Sequence, residues 1–107
     1  YEIVRLMKEG LSPQKACEKA VRDLCERLKR ARGEAGDISV VAMNAKGDFG
    51  AASNIENFSF VVATSTLAPT VFRVHPQSDG TMRHELATKE WLESYLEERM
   101  KPLEVKE

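Results

Sequence analysis

The chain has 107 residues, 42% of them hydrophobic and 31% charged, an ordinary composition that provides one domain's worth of core at most. Sixteen basic and 17 acidic residues leave a formal charge of -1, so no long-range field gathers phosphate or anionic lipid, which argues against nucleic acid as a partner. The longest apolar runs, Val40 to Met43 and Phe58 to Ala63, fall far short of the roughly 20 residues that span a bilayer, and the first stretch lacks the charged, apolar and small-residue succession of a secretion signal.

Tyr1 opens without an initiator methionine and drops straight into Ile3, Val4, Leu6 and Met7 at helical spacing, as expected of a piece of a longer polypeptide. This first helix runs to about Glu9, with Gly10 placed to end it in a left-handed turn. Ser12 then offers an N-cap and Pro13 a first helical position. The series Cys17, Ala20, Val21, Leu24, Cys25 and Leu28 that follows predicts a long amphipathic helix. Its other side mixes Lys15, Glu18, Lys19, Arg22, Asp23, Glu26, Arg27 and Arg30, a solvated face of opposite-charge pairs four residues apart. Cys17 and Cys25 stand about 12 Å apart along that helix, beyond disulfide reach, and read as packed thiols.

After the turn-rich connector Gly33 to Gly36, Ile38 to Met43 is β-branched and nearly continuously apolar, the pattern of a strand covered on both faces. Asn44-Ala45-Lys46-Gly47 supplies a reversal into a second strand, Phe49 to Ser53, giving a hairpin. Gly50, Ala51 and Ala52 have so little bulk that a neighbouring layer can approach closely. Phe58, Phe60 and Val62 alternate with Ser59, Val61 and Ala63 as a further strand or a bent continuation of the second. Beyond Thr64 the pattern changes. Val71 to Val74 predicts an edge strand paired with Thr81 to Leu86 across the turn His75 to Gly80. Thr88 caps a last helix carrying Trp91, Leu92, Tyr95, Leu96 and Met100, ended near Pro102 and docked through Trp91 and Leu96.

Several residue types carry chemistry, but the spacing gathers none into a set. His75 and His84 lack acidic or thiol neighbours at zinc-ligand spacing and read as two surface histidines. Ser12, Ser39, Ser53, Ser59 and Ser65 lack the Gly-x-Ser-x-Gly elbow. Gly47-Asp48-Phe49-Gly50 is too short for a phosphate loop. Asn57-Phe58-Ser59 fits the glycosylation sequon, at the mouth of an apolar strand where chance explains it better. No metal, cofactor or catalytic residue follows.

The ordered set Gly10-Leu11-Ser12-Pro13-Gln14-Lys15-Ala16-Cys17, Asp37-Ile38 through Asn44, Gly47-Asp48-Phe49-Gly50-Ala51-Ala52 and Phe58-Ser59-Phe60-Val61-Val62 resembles the C-terminal part of the β-subunit of the glycosylasparaginase and isoaspartyl-peptidase type of asparaginase, among the N-terminal-nucleophile hydrolases. The resemblance implies an α+β fold, an αββα four-layer sandwich of which this chain is a C-terminal portion. Residues 1–63 would give helices and strands of the β-subunit and residues 64–107 a C-terminal extension.

It further implies hydrolysis of the side-chain amide of asparagine, free, glycosylated or in isoaspartyl linkage. The catalyst in that family is a threonine freed by self-cleavage, whose own α-amino group serves as base. That threonine and the substrate-gripping stretches after it would precede Tyr1, so no catalytic or substrate-binding residue carries over. Thr64, Thr66, Thr70, Thr81 and Thr88 do not match the family's Thr-Gly substrate motif. The partners implied are the rest of the same precursor (its nucleophile-bearing segment and α-subunit), a small asparagine-derived substrate and a dimer of αβ units, with no cofactor, nucleic acid or membrane. The alternative from a different class is a small non-enzymatic α+β protein-interaction module using the last helix or a strand edge. Compartment and choice of amide stay open.

Overall fold

The computed structural model describes residues 1–99 in the order α1 (Glu2–Lys8), α2 (Pro13–Arg32), β1 (Ser39–Met43), β2 (Phe49–Ser53), β3 (Phe58–Val62), β4 (Thr70–Pro76), β5 (Met82–Leu86) and α3 (Lys89–Arg99). The expected place of Met100 on the last helix and its stop near Pro102 lie outside the described residues.

Local chemistry sets the helix ends as anticipated. The Ser12 hydroxyl accepts a hydrogen bond from the Lys15 amide at 3.2 Å, Pro13 takes the first helical position, and Gly33 closes α2 in the left-handed region. Leu6 of α1 is buried, and α1 packs along α2. On α2, Ala16, Cys17 and Val21 face inward, while Leu24 lies at the exposed margin.

β1 and β2 form an antiparallel hairpin with Val41 opposite Ala51 and Met43 opposite Phe49. The Asn44 carboxamide oxygen fixes its turn by accepting from the Lys46 and Asp48 amides at 3.0 and 2.9 Å, and Gly47 takes the positive φ the reversal needs. β3 is a separate strand in a second sheet of order β3-β4-β5, antiparallel throughout. β4, expected at an edge, is therefore the central strand: its N–H and C=O groups pair with β3 on one side and β5 on the other. Phe72 and Val74 carry β4 into the core.

The two sheets face each other across β2. Ala51 joins Phe60, Val62 and Val74 in one buried cluster, ringed by Phe49, Phe58, Leu67, Phe72 and Met82. The rings of Phe49, Phe60 and Phe72 meet with centroids 5.4–6.2 Å apart. On β2's opposite face, Ala52 packs with Cys17 and Val21 of α2. The described residues thus make an α+β fold of three helices and two antiparallel sheets, with α2, β1-β2 and β3-β4-β5 stacked in that order.

One expectation fails within this chain. The apolarity of β1 predicts cover on both faces, yet Val41 is 56% and Met43 46% exposed. The three-stranded sheet lies over β2 and stops there, so α2 covers Val40 and Ala42 while the other face of β1 stays open.

Gly50 shows how tightly α2 sits on the hairpin. A β-carbon added there would stand 2.3 Å from the Gln14 backbone nitrogen and 2.6 Å from the Pro13 carbonyl carbon, main-chain atoms that cannot swing aside. Gly50→Ala is expected to cost about 3 kcal/mol or more, because a helix backbone has to lift off a strand. Urea unfolding checks this; a midpoint equal to the parent's would refute the close packing.

Candidate functional site

Two polar clusters are built by this framework. The first lies in the seam between α2 and the sheets. The Gln14 carboxamide meets both main-chain groups of Ala51: its Nε2–H donates to the Ala51 carbonyl at 2.9 Å and its Oε1 accepts the Ala51 N–H at 2.8 Å. The same amide donates to Glu18 Oε2 at 3.1 Å, which also accepts the Met82 N–H of β5 at 2.8 Å. Glu18 is buried, with Lys15 Nζ 3.8 Å from its other oxygen. His84 of β5 donates its Nε2–H to the Ala51 carbonyl at 3.3 Å and sets its ring edge-on to Phe60. One helix turn thereby ties β2 to β5 through side chains four residues apart.

The second cluster covers the outer face of the three-stranded sheet. Register places Arg73 opposite Glu85 and His75 opposite Arg83. Arg73 donates to Glu85 at 2.8 Å and to Asn57 at 3.3 Å, and its guanidinium lies 5.1 Å from the centre of the Trp91 ring of α3. Arg73 Nε is buried without a hydrogen-bond partner. His75 Nε2 lies 2.9 Å from Glu85 Oε2, and its Nδ1 contacts a Glu56 carboxylate oxygen from the β2–β3 turn. The hydrogen bond from His75 and the charges of Arg73, His75 and Arg83 hold the Glu85 carboxyl below the usual glutamate range.

The residues singled out in the sequence for their chemistry each have a defined place. Cys17 is fully buried, and burial pushes its thiol up to about 11, which keeps it protonated and unreactive at neutral pH. Cys25 is half-buried and accepts from the Asn54 amide at 3.5 Å. The Ser39 and Ser53 hydroxyls bond each other at 2.9 Å across the hairpin. Thr88 caps α3 through the Trp91 amide at 3.0 Å, and Ser12 caps α2. The histidines, expected at the surface, are not simple surface groups: the His75 side chain is only 12% exposed and His84 faces the core. The alternation of β4 and β5 carries that signal, since His75 follows Arg73 on one face and His84 shares the other with Met82. Leu96 is exposed, so α3 meets the sheet through Trp91 rather than through a Trp91–Leu96 face.

Comparison with known proteins returns no matching family model and no matching solved structure. The chain is similar to an N(4)-(Beta-N-acetylglucosaminyl)-L-asparaginase of Elizabethkingia miricola, 37% identical over 62 residues, a stretch that takes in 56% of this chain and 18% of that protein. The chain therefore spans less than a fifth of that relative. A match covering so much of 107 residues necessarily includes β2, at the middle of the chain.

Two measurements probe these clusters. Glu18→Ala strands the Met82 N–H and removes one of the three Gln14 hydrogen bonds, for an expected loss of about 1–3 kcal/mol in denaturant unfolding, with Glu18→Gln closer to the parent. Loss below about 0.5 kcal/mol would show that water replaces the carboxylate. Glu85, depressed in the folded state, contributes stability that is present above the ordinary glutamate value of about 4.3 and lost as pH falls through its folded value. Thermal midpoints of Glu85→Gln should accordingly fall less steeply than the parent's below about pH 4; parallel curves would contradict it.

Proposed function

We propose that this chain is a scaffold portion of an asparaginase-type amidohydrolase, acting with a nucleophile-bearing segment that lies elsewhere in the same precursor. The observation that carries this reading is the 37% identity to a glycosylasparaginase over a stretch that includes β2. β2 is the strand on which α2 and the second sheet both rest, so the likeness falls on the structural centre of the fold.

In this reading residues 1–63 supply helices and strands of the β-subunit, and residues 64–107 form an extension that completes the sheet of β3. The reaction is attack by an N-terminal threonine hydroxyl on the side-chain amide of an asparagine derivative, with the threonine's α-amine taking the proton. The groups described above hold the layers in register and do not touch the reacting atoms. The open face of β1, with Val41 and Met43 outside, is where precursor layers would close the sandwich.

The test uses the protein as it is made by its source. Intact mass and N-terminal sequencing should find two non-covalently associated chains, the one containing Tyr1 to Glu107 starting at an upstream threonine. The preparation should release aspartate from N4-substituted or free asparagine. A single uncut chain without amidase activity would overturn the proposal and favour a protein-interaction module.

A further inference from the structure

His75 of β4 stands between two carboxylates that come from different parts of the chain. Glu85 belongs to β5 and Glu56 to the turn joining the two sheets. An ionised carboxylate only accepts hydrogen bonds, and a neutral imidazole carries a single N–H. Both contacts are therefore satisfied together only when the Glu56–His75–Glu85 chain holds one proton more than two carboxylates and a neutral ring. Arg73, on the same strand, and Arg83, opposite His75 on β5, favour placing the negative charge on Glu85, to which both donate at 2.8 and 3.4 Å. The extra proton belongs to the group as a whole.

We infer that His75 is a proton-dependent pin that fastens the Asn54–Asn57 turn to the outer face of the three-stranded sheet. When the extra proton leaves, one N–H remains for two acceptors, and the geometry decides which of them loses it. Glu85 is held by two arginines whether or not His75 donates to it. Glu56, 60% exposed, is held through His75. The Glu56 contact is consequently the one released, which loosens a turn still tied by Asn54 and Asn57. The turn is also a constrained segment: Asn57 sits at φ 63, its N–H bonded to the Val74 carbonyl at 3.1 Å and its side chain to Arg73. The turn links β2 to β3, so the pin governs how firmly the connection between the two sheets is clamped, whatever activity the assembled protein has.

Amide hydrogen exchange on the full chain reads this out, because the Asn57 N–H reports directly on the turn. After correction for intrinsic base catalysis, its protection should fall about two- to fivefold between pH 5 and pH 8, the range set by one half-exposed ion pair. In Glu56→Gln the fall should vanish, while core amides such as Val74 keep the parent's behaviour. His75→Gln should likewise flatten the profile. Glu56 is exposed, so its variant keeps the test sound if the histidine variant folds poorly. Protection at Asn57 that does not change with pH in the parent, or changes equally in Glu56→Gln, would overturn the inference.

Discussion

The structure depends on how α2 seats on β2. Ala51 turns its N–H and C=O to the outer edge of β2, away from β1, and the Gln14 carboxamide fills that edge as a neighbouring strand's peptide group would. Two consequences follow. The edge of β2 is closed to further strand pairing without a third strand. The helix also has to lie so near that only glycine fits at the preceding position, with the Pro13–Gln14 backbone over Gly50. Both features need the helix to begin where it does, and Ser12 with Pro13 fixes that starting point.

From this seat the remaining packing follows by reach. Glu18 is one helical turn beyond Gln14, on the same side of α2. Its carboxylate extends past β2 to the Met82 N–H of β5. A buried carboxylate is costly unless its lone pairs are filled; here a carboxamide and a main-chain amide fill one oxygen and Lys15 approaches the other. Met82 in turn packs in both hydrophobic clusters, so the polar tie and the apolar contact act at the same residue. The second sheet is thereby anchored at β5 as well as through the phenylalanines of β3 and β4.

Much of this is legible in the residues. Caps, turn chemistry and strong periodicity mark α1, α2, the β1–β2 hairpin and the β4–β5 pairing, and the run of small residues from Gly50 to Ala52 announces a close neighbour. What stays hidden depends on contacts between segments distant in sequence. Glu18 looks like a member of a solvated helix face, and nothing local says that β2 and β5 lie within reach of it or of Gln14. His75 reads as a surface histidine in the turn that follows an edge strand holding Arg73. Once β3 pairs with β4, the outer face becomes a sheet surface on which alternate residues meet, and the charged groups of β4 and β5 find each other. The coverage of β1 escapes a sequence reading for the same reason: apolarity on both faces of Val40 to Met43 reports what those faces require, and supplies no information about which segment meets them.

That unequal coverage of the two hairpin strands bears on the proposed role. β2 is closed on both faces and along its edge, whereas β1 presents Val41 and Met43 to solvent and leaves its outer edge free of any strand among the described residues. Next to them runs a groove lined by Phe49, Phe60 and Val62. An exposed β-branched face beside an open strand edge invites pairing, and soluble folds ordinarily blunt it with charge, proline or a bulge. β1 carries none of these from Ser39 to Met43. Under the proposed scaffold role, β1 would be the inner boundary of a larger sandwich, its bare face and free edge covered by other layers of the precursor.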